Sequence, residues 1–183
     1  MKTENSSPPF LSGERIYLRG VRLSDVNDCY YGWMNDPEIT QFLESRFQPN
    51  SIESIQEYVK SKLGSPNEIF LSIVLLQDHR HIGNIKLGPM DWIHRRGDIG
   101  IIIGEKDCWG KGYAVEAIEL VVDHAFRSLN LHKLTAGCYA NNPASIRCFE
   151  KAGFEREAVR RSHCYYQGKY IDVLELGRIS QVG

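Results

Sequence analysis

Residues 107–116, with the sequence Asp-Cys-Trp-Gly-Lys-Gly-Tyr-Ala-Val-Glu, join a predicted strand to a predicted helix. The strand covers Asp98 to Gly104 and is rich in isoleucine, and the apolar residues from Ala114 to Leu129 recur at helical spacing. Gly110 and Gly112 lack a Cβ, so the backbone can turn several N–H groups toward one ligand. The helix adds the positive end of its dipole. The stretch therefore predicts a loop that holds a phosphate group.

Two other phosphate-binding loops fit these residues poorly. A Walker loop has four residues between its first glycine and a Gly-Lys pair followed by Ser or Thr, whereas here five residues separate Gly104 from Gly110 and Gly112 follows Lys111. A dinucleotide-binding loop requires a small residue where Val115 stands, and the chain has no repeating βαβ pattern. A glycine-rich turn without a ligand stays open as an alternative, because Gly-x-Gly is common in turns.

A second segment makes the loop more informative. Residues 142–154 read Asn-Pro-Ala-Ser-Ile-Arg-Cys-Phe-Glu-Lys-Ala-Gly-Phe, and together with residues 109–114 they resemble the GNAT superfamily of N-acetyltransferases. In that family the acetyl-CoA pyrophosphate loop reads Gln or Arg, Gly, x, Gly, x, Gly or Ala. Trp109 departs from the first position, but the family's pyrophosphate contacts are chiefly backbone N–H groups. We therefore expect acetyl-CoA binding to persist.

The resemblance extends over nearly the whole chain. Residues 15–19, 33–38, 94–96 and 168–172 look like the branch that contains ribosomal-protein alanine acetyltransferases and spermidine acetyltransferases. It implies an α+β, or mixed α/β, GNAT-like fold with one mostly antiparallel, twisted sheet that is splayed at the acetyl-CoA site and flanked by about four helices. Residues 1–183 are expected to form a single N-acetyltransferase domain, with residues 1–12 flexible.

Periodicity and turn residues predict the individual elements. The predicted strands cover residues 15–21, 69–76, 82–89, 98–104, 133–139, 154–166 and 170–179. The predicted helices run from a Ser24-Asp25 cap to Met34, from a Ser51 cap through Leu63, after residue 113, and over residues 143–152.

Composition narrows the classes of protein that the chain can belong to. Its 183 residues and apolar fraction of 42% suit one ordinary domain with a substantial core. A net charge of −1 with dispersed Lys and Arg argues against a nucleic-acid partner. Five cysteines without a Cys-x-x-Cys pair suit a reducing compartment, and no apolar run has the length of a membrane span. We expect a cytoplasmic protein without a membrane partner, and a homodimer stays open.

By the resemblance, acetyl-CoA is held by backbone groups of the central strand, by the loop and by the start of the helix after residue 142. The implied cofactor residues are Ile101, Ile102, Ile103, Trp109, Gly110, Lys111, Gly112, Tyr113, Ala114, Asn142 and Ser145. We expect the isoleucine side chains themselves to lie in the core. Asn is also a good N-cap residue, and capping is compatible with a cofactor contact.

Direct attack of an amine on a thioester requires a neutral nitrogen, a stabilised oxyanion and a proton for the departing thiolate. Asp98 stands where many family members place a carboxylate that relays the amine's proton through water; a solvated turn residue is the alternative. Where spermidine-type relatives carry a tyrosine acid, this chain has Phe149, which has no proton to give. Cys148 is more typical of a small core residue. The proton would then come from water or from a hydroxyl of Tyr165, Tyr166 or Tyr170.

The expected acceptor is a weakly basic amine. A lysine-like amine with a pKa near 10.4 costs about 4 kcal/mol to deprotonate near neutral pH, whereas an α-amine near 7.8 costs well under about 1.5 kcal/mol. A site without a tyrosine acid suits the second kind, so we expect a small primary amine such as an amino sugar or an amino acid derivative. Rival functions are acetylation of a protein N-terminus, as in ribosomal-protein relatives, and a non-catalytic CoA-binding module.

Three residues are candidates for binding the acceptor: Glu44, Arg46 and Tyr165. Arg46 can grip a carboxylate or phosphate, although an ordinary ion pair with Glu44 is an equal alternative. We expect no metal ion, because His79 and His81 are alternate residues of a hairpin turn and no third ligand stands nearby in the sequence.

Overall fold

The computed structural model of the protein describes residues 8–181. Its strands are β1 (Leu11–Ser12), β2 (Ile16–Gly20), β3 (Ile69–Leu75), β4 (His81–Leu87), β5 (Arg96–Ile103), β6 (Lys133–Tyr139), β7 (Glu155–Tyr166) and β8 (Lys169–Ile179). They form one sheet in the order β1-β2-β3-β4-β5-β6-β8-β7. Neighbouring strands are antiparallel except β5 and β6, which run parallel. The predicted α+β class with a mostly antiparallel sheet is confirmed.

Five α-helices flank the sheet within residues 8–181. They are α1 (Asp28–Asn35), α2 (Pro37–Thr40), α3 (Ile52–Lys62), α4 (Tyr113–Arg127) and α5 (Pro143–Lys151). The sequence predicted about four, and the additional one is the single turn α2, which Asp36 caps immediately after α1 ends. Ser51 caps α3 as predicted.

The predicted start of α1 is wrong by about three residues. Asn27, not Ser24 or Asp25, caps the helix, and its side chain accepts from the backbone N–H groups of the first turn. The Asp25 carboxylate is unavailable because both its oxygens lie 2.7 Å from nitrogens of Arg19. Burial opposes ionisation of Asp25, yet hydrogen bonds from Arg19 and from the Arg22 backbone hold the pKa of this carboxyl below its usual value.

Helices cover both faces of the sheet. Alternate residues of β3 contact different apolar clusters: Leu71 belongs to the main core, which contains Ile118 and Val122 of α4, and Phe70 packs against a second cluster, which contains Trp33 of α1 and Val59 of α3. Successive side chains of a strand point to opposite faces. Therefore α4 lies on one face of the sheet, and α1 and α3 lie on the other.

The sheet opens between β5 and β6. The two strands share only three residue pairs, the last of which joins Asp98 to Thr135. Beyond Asp98 the strands part and leave a gap in the sheet, as the family resemblance implied.

Two expectations concern the ends and the exterior of the chain. Leu11–Ser12, inside the segment predicted to be flexible, pairs with β2 at the sheet edge, and residues 1–7 of that segment lie outside the described range. Within residues 8–181, no helix has the length and apolar character needed to cross a membrane. The cytoplasmic location stays a prediction.

Candidate active site

The loop between β5 and α4 depends on two left-handed glycines. Gly110 has φ 72° and Gly112 has φ 85°, a backbone region that disfavours residues with a Cβ. Gly112 is the N-cap residue of α4, which has no side-chain cap. The first N–H groups of the helix are therefore available to an anion at the positive end of the helix dipole.

Arg15 braces this loop from the β2 side. Its guanidinium donates to the carbonyl of Lys111 at 2.7 Å and to the carboxylate of Glu116 at 2.9 Å, and its backbone N–H donates to Glu116 at 2.8 Å. The guanidinium carbon also lies 5.0 Å from the centre of the Tyr113 ring. The loop is thus tied to the sheet through one residue that the sequence indicated only as part of a family segment.

A cleft of about 800 Å³ occupies the gap between β5 and β6 and extends to the loop and α5. All the predicted cofactor residues line it except Lys111. The side chain of Lys111 is exposed, and the residue contributes its carbonyl to Arg15 instead. The cleft is also lined by Tyr139, Arg147 and Lys151, which sequence reasoning missed.

The backbone of β5 presents alternate residues to the gap. The carbonyl of Asp98 accepts a hydrogen bond from the N–H of Gly88, and the N–H of Gly104 donates to the carbonyl of Ile82. Both residues therefore turn these backbone groups toward β4. Because hydrogen-bonding direction alternates along a strand, Ile102 also faces β4, and only Ile101 and Ile103 of the predicted trio turn their amide groups toward the gap. The expectation that the Ile102 backbone takes part therefore does not fit this register.

A hydrogen bond holds the Trp109 side chain at the first position of the loop. Its indole N–H donates to the carbonyl of Ile103 at 2.8 Å, and 39% of the residue is exposed. That carbonyl faces the gap, so the indole uses one of the backbone acceptors at the end of β5.

The start of α5 forms the opposite wall of the cleft. The Asn142 side chain accepts from the backbone N–H of Ser145 at 3.1 Å, which makes it the N-cap. The Ser145 hydroxyl contacts the Cys138 sulfur at 3.2 Å. Phe149 is 2% exposed and packs edge-to-face on Phe154, so its ring is both core and cleft wall.

The acid–base groups near the gap are few. Asp98 is the last residue of β5 that pairs with β6, and it accepts a hydrogen bond of 3.0 Å from the Thr135 hydroxyl. Burial raises the pKa of Asp98 above its ordinary value, and the Thr135 hydrogen bond opposes that rise. Burial likewise raises the pKa of the Cys148 thiol, which keeps that group neutral.

A second cavity of about 420 Å³ lies between the sheet and α1 and α3. It shares part of its lining with the cleft, and the shared residues are Leu43, Glu44, Gly100, Ile101 and Ile102. Asp98 lies on the same face of β5 as Gly100, two residues away. The two cavities meet at Gly100–Ile102, two residues beyond Asp98, and Asp98 itself lines neither of them.

The three candidate acceptor residues are not brought together in one cavity, and only Glu44 lines a cavity. Glu44 lines both cavities and accepts a hydrogen bond from the Tyr139 hydroxyl. Arg46 lines neither cavity: it lies 3.7 Å from Glu44, donates to the carbonyls of Leu43 and Tyr165, and stacks on the Phe47 ring at 4.1 Å. The structure therefore places Arg46 as a brace of the loop after α2 rather than as a group that faces a ligand.

None of the three tyrosines that were expected to supply a hydroxyl lines the cleft, and only the Tyr166 hydroxyl contacts a residue that does, Gln41. Tyr165 is 50% exposed and packs against Tyr170, and its carbonyl accepts a hydrogen bond from Arg46, which lies outside both cavities. Tyr166 points to the other face of β7 and donates to Gln41 at 3.0 Å. Tyr139, at the end of β6, lines the cleft instead, and burial raises the pKa of its hydroxyl. The sequence signal that could have identified Tyr139 as a cleft residue is its position three residues before Asn142.

The histidines do not assemble a metal site. His81 is partly buried and packs 5.0 Å from the Trp33 ring, and His79 lies 3.4 Å from the Tyr17 hydroxyl. Among the described residues, no group of three or more His, Cys, Asp or Glu side chains is placed to hold a metal ion.

Comparison with known proteins decides the family. The family described as acetyltransferase (GNAT) domain matches residues 15–155. The chain belongs to the GNAT acetyltransferases. It is 31% identical over 166 residues to the uncharacterized N-acetyltransferase p20 of Bacillus licheniformis, a match that spans 87% of this chain and 90% of the relative. The chain is therefore an N-acetyltransferase by family, and acetyl-CoA is its acyl donor.

Spermidine acetyltransferases are among the similar proteins. The spermidine N(1)-acetyltransferase of Vibrio cholerae is 34% identical over 92 residues, which cover 50% of this chain and 53% of the relative. A crystal structure of spermidine N-acetyltransferase from Vibrio cholerae in complex with CoA and spermine superposes with a TM-score of 0.80 at 25% identity, over 90% of this chain and 95% of that one. Another structure of that enzyme is dodecameric.

Proposed function

We propose that this GNAT domain transfers an acetyl group from acetyl-CoA to the primary amine of a small molecule, an amino sugar or an amino acid derivative, by direct attack. The observation that carries the proposal is the junction of the two cavities at Gly100–Ile102. An amine in the smaller cavity would meet a thioester that lies in the cleft. Direct attack requires this kind of proximity between the reacting atoms.

The cleft residues fit acetyl-CoA. The loop Trp109–Ala114 offers left-handed glycines and the N-terminus of α4 to the pyrophosphate. The gap-facing amides of Ile101 and Ile103 would pair with the pantetheine arm, beside the predicted contacts at Asn142 and Ser145. Two cations in the cleft lining add positive charge for the phosphates: Arg147 and Lys151.

Asp98 is our candidate for the catalytic base. Acetyl-CoA supplies the acetyl group as a thioester. Asp98 accepts a proton from the attacking amine, through water, and its raised pKa makes it a better acceptor than an ordinary carboxylate. The nitrogen then forms the C–N bond as the C–S bond breaks. Because Phe149 has no proton to donate and the Tyr139 hydroxyl is bound to Glu44, we propose that the departing thiolate is protonated by water.

The charge of the smaller cavity disfavours a polyamine acceptor. Among its described lining residues the carboxylate is that of Glu44, which is already contacted by Tyr139 and Arg46. Lys86, from β4, adds a positive charge to the lining of the same cavity. A polycationic acceptor would lack counter-charges there, whereas an acceptor with one amine would not need them.

A thiol-release assay with acetyl-CoA tests the proposal. We expect turnover with glucosamine or with amino acid amides and a lower kcat/KM with spermidine. A higher kcat/KM with spermidine would contradict the acceptor assignment. Binding of acetyl-CoA by calorimetry without turnover of any amine would favour the non-catalytic alternative, and turnover only with peptides would favour N-terminal acetylation.

We also propose that residues 1–183 act as one domain, because every strand from Leu11–Ser12 to Lys169–Ile179 belongs to the same sheet. A homodimer stays a prediction, which sedimentation of the purified chain would test.

A further inference from the structure

Asn84 carries an unsatisfied amide in the wall of the smaller cavity. The residue is 1% exposed and lies in the middle of β4. Its side-chain oxygen is 2.9 Å from the Nε2 atom of His81, and its side-chain nitrogen has no hydrogen-bond partner among the described residues. Asn84 also lines the cavity. Buried amide groups are rarely left without a partner, so this NH₂ group is available to an acceptor such as a water or a ligand oxygen.

The contacts of His81 fix which side-chain atom of Asn84 is left without a partner. His81 Nε2 lies 2.9 Å from the carbonyl oxygen of Gly83. A carbonyl only accepts, so Nε2 must carry a hydrogen, and the Asn84 atom that faces it must be the oxygen. The NH₂ group of Asn84 is therefore turned away from His81.

Lys86 lies beside Asn84 on the same face of β4 and lines the same cavity. Its ammonium is 3.5 Å from Glu68, a carboxylate that Lys62 already binds at 2.9 Å. The Lys86 charge is thus only partly neutralised. A third donor comes from the opposite wall, where the Ser45 hydroxyl is buried without a partner among the described residues.

The remaining lining is largely apolar. Its apolar residues include Tyr30, Met34, Leu43, Ile55, Tyr58 and Phe70, and its other polar side chains are Glu44, Asn50 and Ser54. A ligand that fits this cavity has an apolar body and one oxygen that accepts hydrogen bonds. Its volume of about 420 Å³ is ordinary for a small-molecule site.

On the basis of the function proposed above, we propose that Asn84 and Lys86 bind a carbonyl-type oxygen of the acceptor, and that the acceptor is an apolar amino acid or its amide. Asn84 and Lys86 pair directly with Ile102 and Gly100, where the two cavities meet. Neighbouring strands lie about 4.8 Å apart. An amine one carbon away from a carbonyl therefore reaches the junction while its oxygen stays at β4.

Three amines of matched shape test this assignment: leucinamide, leucine and 3-methylbutylamine, which lacks the carbonyl. The readout is kcat/KM by thiol release for each amine with the wild-type chain and with Asn84→Asp, which keeps the acceptor for His81 and removes the donor. We expect the ratio of leucinamide to 3-methylbutylamine to fall about tenfold in the variant, the size of one hydrogen bond. Using a ratio within each variant cancels differences in amine pKa and in the amount of folded protein. Asn84→Leu provides a second, uncharged test of the same ratio.

Lys86→Met distinguishes the two chemical groups that could supply the oxygen, a carboxylate and an amide. If the natural group is a carboxylate, the variant should lower kcat/KM for leucine about tenfold and for leucinamide far less. If it is an amide, both losses should be small. Lys62→Met is the matched control, because it removes the other ion pair of Glu68 from a residue outside the cavity lining. Equal effects of Lys62→Met and Lys86→Met on leucine would overturn the contact with Lys86.

The remaining outcomes separate this inference from the proposed function. An unchanged amine ratio in both Asn84 variants would overturn the oxygen contact while acetyl transfer stands. So would turnover of glucosamine without turnover of the three leucine-like amines. Absence of thiol release with every amine would instead count against the proposed function itself.

Discussion

Gly112→Ala is the sharpest test of how the loop holds acetyl-CoA. Gly112 has φ 85° and ψ 3°, and a residue with a Cβ costs about 1–2 kcal/mol in this left-handed region. A Cβ there would lie 3.3 Å from the end of the Arg15 side chain, which can move, so the backbone conformation dominates the cost. If the bound loop requires this conformation, the Kd for acetyl-CoA should rise about 5- to 30-fold, because about 1.4 kcal/mol equals a factor of ten.

Titration calorimetry with acetyl-CoA measures this change directly. Gly112→Val should weaken binding further, since a β-branched residue is least tolerant of a positive φ. Gly20→Ala is the matched control, because a Cβ at Gly20 meets nothing within 4 Å and its φ is not positive. We expect its Kd to equal that of the wild-type chain.

Lys111→Ala decides between backbone and side-chain binding. The side chain of Lys111 is exposed, and the carbonyl that Arg15 contacts is kept in the variant. We expect a change in Kd of no more than about threefold, because an exposed charge is strongly screened. Losses of equal size in Gly112→Ala and Lys111→Ala would refute the reasoning and assign the binding to side-chain charge.

Three further predictions concern the base, the cleft wall and the ion pair under the first helix. Asp98→Asn should lower kcat/KM near neutral pH and recover part of the deficit at high pH, where the amine is already neutral; a deficit independent of pH in the rate profile would point to a structural role. Phe149→Tyr should leave turnover within a few-fold or raise it, whereas Phe149→Ala should lower the free energy of unfolding by about 3–5 kcal/mol; an unchanged melting temperature with complete loss of activity would contradict this. Asp25→Ala leaves Arg19 largely buried and unpaired, and should cost about 3–5 kcal/mol in urea unfolding near neutral pH. Because the folded pKa of Asp25 is lowered, its stabilisation is present above the ordinary pKa of about 3.9 and is lost as the pH falls through the folded value; a cost in Asp25→Ala that stays constant down to about pH 2 would argue against the ion pair.

Elements with strong periodicity and clear caps were predictable from the sequence. The predicted strand 133–139 has the bounds of β6, and Ser51 caps α3 as expected. The start of α1 was not predictable from local pattern, because Ser24-Asp25 and Asn27 are both suitable caps. The choice is made by Arg19, which lies on a different element and binds Asp25.

The candidate site was predictable where backbone conformation defines it and less so where side chains from distant segments meet. The glycines at 110 and 112 identify the loop by their chemistry alone. The direction in which the Ile102 backbone points depends on the register of the strand pairing. A shift of that register by one residue would reverse the direction. Tyr139 and Asn84 face cavities because of strands that lie beside them in space, and neither belongs to a local motif.

The three residue pairs between β5 and β6 leave a seam through the sheet. Strands β1–β5 lie on one side of the seam and β6–β8 on the other. A molecule that bonds to Ile101 on one side and to the start of α5 on the other would act as a cross-link between the halves. Ligand at about one hundred times its Kd adds roughly 2.7 kcal/mol to the stability of the folded state. The supply of acetyl-CoA would then set not only how fast this enzyme works but also how well it resists proteolysis.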